Sequence, residues 1–275
     1  MSKIPVGATV GGAYRFLFRN IGTVIGTAWL PLALLAAAVA AIAWLVFPQA
    51  PAAPRLAEQA LPALAVIAAL FFGGCLAGSM VLARLTRHAL AKRTRPTFAY
   101  VSFGRDVWRI MLAFLIFDVV LSLVSIEADK IVQLVAAHRV LPMPALVGAA
   151  LSFVALYGTM RGLFFVPAVV GVEHRLGIGR SWSLSRWNFP RLLIVAVAIA
   201  LPMALLAHGA RWLTQLAFRR SPGDPATLFF DHHVYAPLAA IVVIAVVQRI
   251  VNIALIAGAS ASAYRALVPE RYSEA

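Results

Sequence analysis

Acids and cysteines are scarce in this sequence. Ten Asp and Glu stand against 24 Lys and Arg in 275 residues, and the one cysteine is Cys75. A lone thiol excludes an internal disulfide framework and a cysteine zinc site. So few scattered carboxylates offer no pair on one face for acid–base chemistry. Neither Gly-x-Ser-x-Gly nor Gly-x-x-x-x-Gly-Lys occurs, which removes the serine-hydrolase and phosphate-loop readings. Asp231-His232-His233, with His138 and Asp224 as further donors, is a poor chelator because adjacent histidines diverge on any regular backbone. Glu173-His174 lacks the second histidine, four residues on, of a helical zinc protease. We expect no catalytic residue, no enzyme activity, no cofactor and no metal.

Charge of either sign is also missing over long runs. None occurs in 20–54, 59–83, 140–160 or 192–210, while 110–126 and 232–264 carry one each, Asp118 and Arg249. Only 12% of residues are charged and 62% are hydrophobic, against about 25% charged in soluble domains. A bilayer core about 30 Å thick takes about 20 apolar helical residues, and lipid offers no partner to an unpaired backbone group. The pattern predicts an all-α membrane protein, one integral domain over 1–275, with helices near 22–47, 61–84, 109–127, 141–171, 191–213 and 236–264. The first run follows Lys3, Arg15 and Arg19 like a secretion signal, but exceeds the 7–15 apolar residues of one. It is expected to stay as the first helix.

The net charge of +14 is distributed unevenly across this layout. Threading the six helices places 16 of the 24 basic residues on the side holding both termini and 6 on the other; Arg161 and Arg249 lie within the spans. Basic residues accumulate in cytoplasmic loops, so both termini are expected in the cytoplasm. Anionic lipid head groups are the natural partner of that charge, and no nucleic acid is expected.

The sequence predicts three repeated helical hairpins along the chain. Helices two, four and six begin near Pro62, Pro142 and Pro144, and Pro237. They then carry Leu76-Ala77-Gly78-Ser79-Met80, Leu156-Tyr157-Gly158-Thr159-Met160 and Ile256-Ala257-Gly258-Ala259-Ser260. Small residues four apart (Gly74 and Gly78, Gly158 and Gly162, Gly258 and Ser262, Gly22 and Gly26) allow close helix approach. Leu30-Pro31-Leu32-Ala33-Leu34-Leu35-Ala36 in helix one returns as Leu201-Pro202-Met203-Ala204-Leu205-Leu206-Ala207 in helix five. Arg19-Asn20 and Arg186-Trp187-Asn188 precede them. Helix three lacks the Leu-Pro element, so the middle unit matches least.

Short amphipathic segments precede helices one, three and five. They hold Tyr14, Phe16 and Phe18 with Arg15 and Arg19; Phe98, Tyr100, Phe103 and Trp108 with Arg105 and Arg109; and Trp182 and Trp187 with Arg180, Arg186 and Arg191. Such segments lie in the head-group layer, with aromatics at the interface and arginines toward phosphate. An ordinary belt of anchors at the span ends explains them equally well.

The stretch from Val166-Pro167 through Glu173 and Arg180-Ser181-Trp182-Ser183-Leu184 to Asn188-Phe189 resembles a segment of certain bacterial membrane proteins. It is similar to the membrane domain found beside some glycerophosphoryl diester phosphodiesterases, and to related six-span inner-membrane proteins. Trp187 and Pro190 stand where that family has a glycine and an aromatic, and no soluble phosphodiesterase domain accompanies the spans. The resemblance implies a six-span fold and a bacterial inner-membrane location, and lends no catalytic residues.

The ionised groups within the spans are the strongest candidates for function. Each costs about 2.5–3.5 kcal/mol to place there and so faces a partner or a wet cavity. One arrangement is a polar layer of Asp118, Arg161, Arg249, Gln248 and Asn252 that accepts an anion. The other is an Asp118–Arg161 ion pair that sets helix register, with Arg249 satisfied internally. The sequence therefore predicts a lipid-binding or envelope-supporting protein without a catalytic site, or else a carrier of an anionic or amphiphilic solute. Arg15, Arg19, Arg105, Trp108, Arg180, Trp182, Arg186 and Trp187 are the expected lipid contacts.

Overall fold

Among the described residues each apolar run forms a helix, and several of these helices extend past their run. The computed structural model describes residues 3–46, 56–90, 101–137, 143–219 and 232–268. Among these residues the elements are all helical: α1 Val6–Arg19, α2 Ile21–Val46, α3 Leu56–Leu90, α4 Arg105–Ala137, α5 Met143–Leu163, α6 Val166–Glu173, α7 Ile178–Ser185, α8 Phe189–Arg219 and α9 His232–Leu267. Six spans within them are long and apolar enough to cross a membrane: Ile21–Ile42, Leu64–Leu90, Arg105–Ile126, Leu146–Glu173, Phe189–Leu206 and Val243–Leu267. Large apolar side chains such as Leu64, Val154, Ile194, Leu201 and Leu205 stand exposed on them. That is the architecture of a multi-pass membrane protein, in which acyl chains solvate the outer surface.

Three expected boundaries are corrected. Helices overshoot their apolar runs, most of all in α4, because charged residues mark the edge of the oil and do not break a helix. The fourth helix is two helices, broken at Phe164 and Phe165. Pro167 has no N–H for the carbonyl four residues back and its ring clashes there, so the chain restarts with the proline in the first turn of α6. Before α4, residues 101–104 are not helical; Arg105, Trp108 and Arg109 already belong to α4 itself, while Phe98 and Tyr100 lie outside the described residues.

The fully buried side chains gather at one end of the bundle. Ile4, Leu85, Ile110, Phe165, Val169, Leu192, Leu255 and Tyr264 form a single cluster there. The arginines of that end surround it. We call it the basic end.

Pro31 and Pro202 lie inside helices, where each frees a carbonyl, and one of these is answered by another helix. Pro202 in α8 leaves Ala198 without its usual N–H partner. The Tyr14 hydroxyl of α1 donates to that Ala198 carbonyl at 3.1 Å. Both asparagines that precede the Leu-Pro helices sit at junctions. Asn20 lies between α1 and α2, where its Nδ2 donates to the Phe16 carbonyl at 2.9 Å. Asn188 lies between α7 and α8, where its Oδ1 accepts the Ile4 N–H at 3.0 Å. Arg191 then donates to the Ile4 carbonyl at 2.9 Å, pinning the N-terminal segment against the start of α8.

Candidate functional site

The expected polar layer is split into three. Asp118, Arg249 and Asn252 share one cleft of ≈ 500 Å³ between α3, α4 and α9. Arg161 and Gln248 lie elsewhere. Gln248 donates to the Met203 carbonyl at 3.0 Å and so joins α9 to α8. The expected Asp118–Arg161 ion pair is absent among the described residues, because Arg161 points from α5 into α7.

Arg161 is buried without a carboxylate, and aromatic and carbonyl groups replace one. Its Nη1 donates to the Tyr157 hydroxyl at 2.5 Å and its Nη2 to the Trp182 carbonyl at 3.1 Å. Its guanidinium carbon lies 4.3 Å from the centroid of the Trp182 ring system and 5.1 Å from that of the Tyr157 ring. A desolvated cation on an aromatic face gains about 2 kcal/mol. Arg161 thus serves as a clamp between α5 and α7.

The same clamp repairs the break between α5 and α6. An unbroken helix would join the Phe165 N–H to the Arg161 carbonyl. Here the Ser181 hydroxyl of α7 stands between them, accepting from Phe165 N at 3.2 Å and donating to the Arg161 carbonyl at 2.9 Å. Ser185 donates to the same carbonyl at 3.2 Å. This explains a serine within Arg180-Ser181-Trp182. Ser181→Ala should cost about 1–3 kcal/mol, since a buried N–H loses its acceptor, measured as a lower midpoint of reversible unfolding in micelles.

The Asp118 cleft is polar on one side and greasy on the other. Asp118 lies 13 residues after Arg105, about 20 Å along α4, and Arg249 lies 16 residues before Arg265, about 24 Å along α9. Both side chains are exposed to the cleft. Among the described residues neither makes a hydrogen bond or an ion pair. The space comes from α3, where Gly74, Cys75, Gly78 and Ser79 form the wall. A Cβ at Gly78 would lie 3.8 Å from Nη2 of Arg249, and one at Gly74 would meet nothing within 4 Å. These two glycines were expected to bring helices together; they line the cleft instead. Leu70, Phe71, Phe114 and Ile256 supply the apolar surface.

At the basic end, Asp106 and Glu173 organise the helices, and sequence reasoning passed over Asp106. Its carboxylate receives Arg87 of α3, Arg109 of α4 at 2.9 Å, and His174 at 3.1 Å. Glu173 faces Arg180 of α7 at 3.4 Å and accepts from the Tyr264 hydroxyl of α9 at 2.9 Å. His174 closes α6 in the left-handed conformation, with φ of 51°, a geometry uncommon outside glycine. The signal for Asp106 was available: an acid in the first turn of a helix on a face otherwise crowded with arginine.

The expected lipid contacts divide as well. Arg180, Trp182, Arg186 and Trp187 are exposed around α7, where the Arg186 guanidinium carbon lies 5.5 Å from the centroid of the Trp187 ring system. Arg105 and Trp108 are exposed at the start of α4. Arg15 and Arg19 instead line a separate cleft with Arg265. His138, Asp224 and Asp231 lie outside the described residues, as do the side chains of His232 and His233. No protein-family model, curated protein or solved structure matches this chain.

Proposed function

We propose that this protein binds a membrane amphiphile without transforming it, and that the Asp118 cleft seats the polar part of that molecule. The observation that carries the proposal is the pair of opposite, unbridged charges lining one cleft within the spans. Ionised groups at such depth mark binding sites or ion paths because they are costly to insert. Asp118 accepts hydrogen bonds or a cation, Arg249 presents a planar fork to an anionic oxygen, and Asn252 does either. Apolar walls beside them suit an acyl chain. The ligand class is therefore a lipid or amphiphilic solute whose head carries an anionic oxygen and a donor or cation.

The surroundings agree with this use. The excess of arginine on the side of the termini supports a cytoplasmic basic end in a bacterial inner membrane. The amphipathic sequences of α1 and α7 suit helices lying in the head-group layer. The recurring Leu-Pro and glycine elements support three hairpins related by an axis along the membrane normal, with the cleft between the first, second and third. The likeness of 166–189 to domains found beside lipid-processing enzymes points to lipid as well. A carrier reading draws on the position of the charges, well away from the basic end.

Lipids retained after gentle extraction test the proposal. Mass spectrometry of wild type should find a specific amphiphile. Asp118→Asn and Arg249→Gln should each weaken its binding about tenfold, the loss of one charged hydrogen bond, while the unfolding midpoint stays put. Retention of the same lipid at the same level by both variants would remove the proposal. Flux of that lipid between proteoliposome leaflets, abolished by the same variants, would make the binder a carrier.

A further inference from the structure

A second cleft of ≈ 260 Å³ lies at the basic end, lined by Arg15 and Arg19 of α1, Arg265 of α9, Asn20 and Ser262. It is separate from the Asp118 cleft and does not depend on the reading given above. Arg15 and Arg19 are four residues apart, so they share one face of α1. Arg265 in the last turn of α9 faces them across the gap.

The three exposed guanidiniums would gain from an anion between them. Like charges four apart on a helix repel, and a third guanidinium worsens this. Among the described residues none of the three meets a carboxylate. The nearby acids of this end are committed elsewhere, Asp106 to Arg87, Arg109 and His174, and Glu173 to Arg180 and Tyr264.

The gap is also held open by packing rather than by chance side-chain positions. A Cβ on Gly258 would stand 3.0 Å from the Ala13 Cα and 3.2 Å from the Phe16 Cβ. A Cβ on Gly12 would stand 2.9 Å from the Ser262 hydroxyl. Glycine thus seats α1 directly against α9 and fixes where the arginines emerge. Asn20 is held in turn by His88, whose Nε2 lies 3.0 Å from its Oδ1.

We infer that this cleft is a phosphate-binding site, taking a phosphomonoester or phosphate dianion on the guanidinium groups of Arg15, Arg19 and Arg265. Arginine forks match phosphate oxygens two at a time. The volume falls below the about 300–1,000 Å³ of ordinary small-molecule sites, so it suits a group the size of phosphate. Free phosphate and the exposed phosphate of a lipid such as phosphatidic acid offer the same chemistry.

Purified full-length protein can be titrated with inorganic phosphate, and separately with phosphatidylcholine vesicles with and without phosphatidic acid. Arg15→Gln, Arg19→Gln and Arg265→Gln should each weaken binding about tenfold, one charged hydrogen bond apiece. Arg175→Gln, an exposed arginine of the same end outside the cleft, should change it less than twofold. Saturable binding of inorganic phosphate with this pattern supports the site and identifies a free anion. Binding of phosphatidic acid vesicles alone, with the same pattern, supports it and identifies a lipid head group. No saturable binding of either probe by wild type overturns it. So does an equal loss in Arg175→Gln, which would reduce the effect to net charge. Circular dichroism and elution volume show that each variant is folded.

Discussion

Asp106→Asn is expected to lower stability by about 3 kcal/mol, the largest effect of any isosteric change in this protein. Asparagine keeps the shape of the side chain but removes the anion on which Arg87, Arg109 and His174 converge. Removing one member of a buried charge cluster costs about 3–5 kcal/mol. The lower end applies because Arg87 and Arg109 are 43% and 32% exposed and can turn toward water, where screening reduces what each contributes. The damage should be local in origin and wide in effect, since Asp106 ties the end of α3 and the start of α4 to the cap of α6. Asp118→Asn serves as the contrast: that carboxylate holds no partner among the described residues, so its loss should leave the unfolding midpoint within about 0.5 kcal/mol of wild type. Equal midpoints for the two variants would contradict the assignment of Asp106 as the organising acid.

Gly258→Leu should cost a similar amount, about 3 kcal/mol, at the upper end of overpacking penalties. The space at Gly258 is closed by the Ala13 backbone and the Phe16 Cβ, neither of which can swing aside, so α1 must lift from α9. The outcome is measurable as a lower unfolding midpoint together with faster proteolysis within 6–19. Phosphate affinity should fall with it, because Arg15 and Arg19 would leave Arg265. Gly158→Leu should be nearly neutral, since a Cβ there meets nothing within 4 Å. If Gly158→Leu proved as damaging as Gly258→Leu, the close seating of α1 on α9 would not be the cause.

Those two glycines, with Gly78, show how far a sequence pattern reaches. The three occupy the same place in a recurring motif, yet one seats a helix, one faces open space and one lines the cleft beside Arg249. Likewise, Asn20 and Asn188 were visible as recurring polar residues before two spans, and both do stand at helix junctions. Arg161 was recognisable as a costly buried charge. Its partners were not, because two of them are a carbonyl and a ring system contributed by Trp182 on another helix, 21 positions on. Pro167 held a signal for the break after α5 that the expectation of one helix over 141–171 passed over; nothing local announced that Ser181 would bridge it.

The amino-acid order alone determined the six apolar helices and the gathering of arginine at one end. Both follow from quantities summed along a short segment: the length of an uncharged run against the thickness of a bilayer, and the balance of charge between successive loops. Tertiary packing alone decided that Asp118 faces Arg249, that Arg161 joins α7 and that Arg265 completes the cleft begun by Arg15 and Arg19. Helical periodicity sets which residues share a face, but leaves free the rotation of each helix about its axis and the choice of neighbour. Those are settled by close contacts between helices, at Gly258 against Ala13 above all, and such contacts are pairwise facts that no single segment contains.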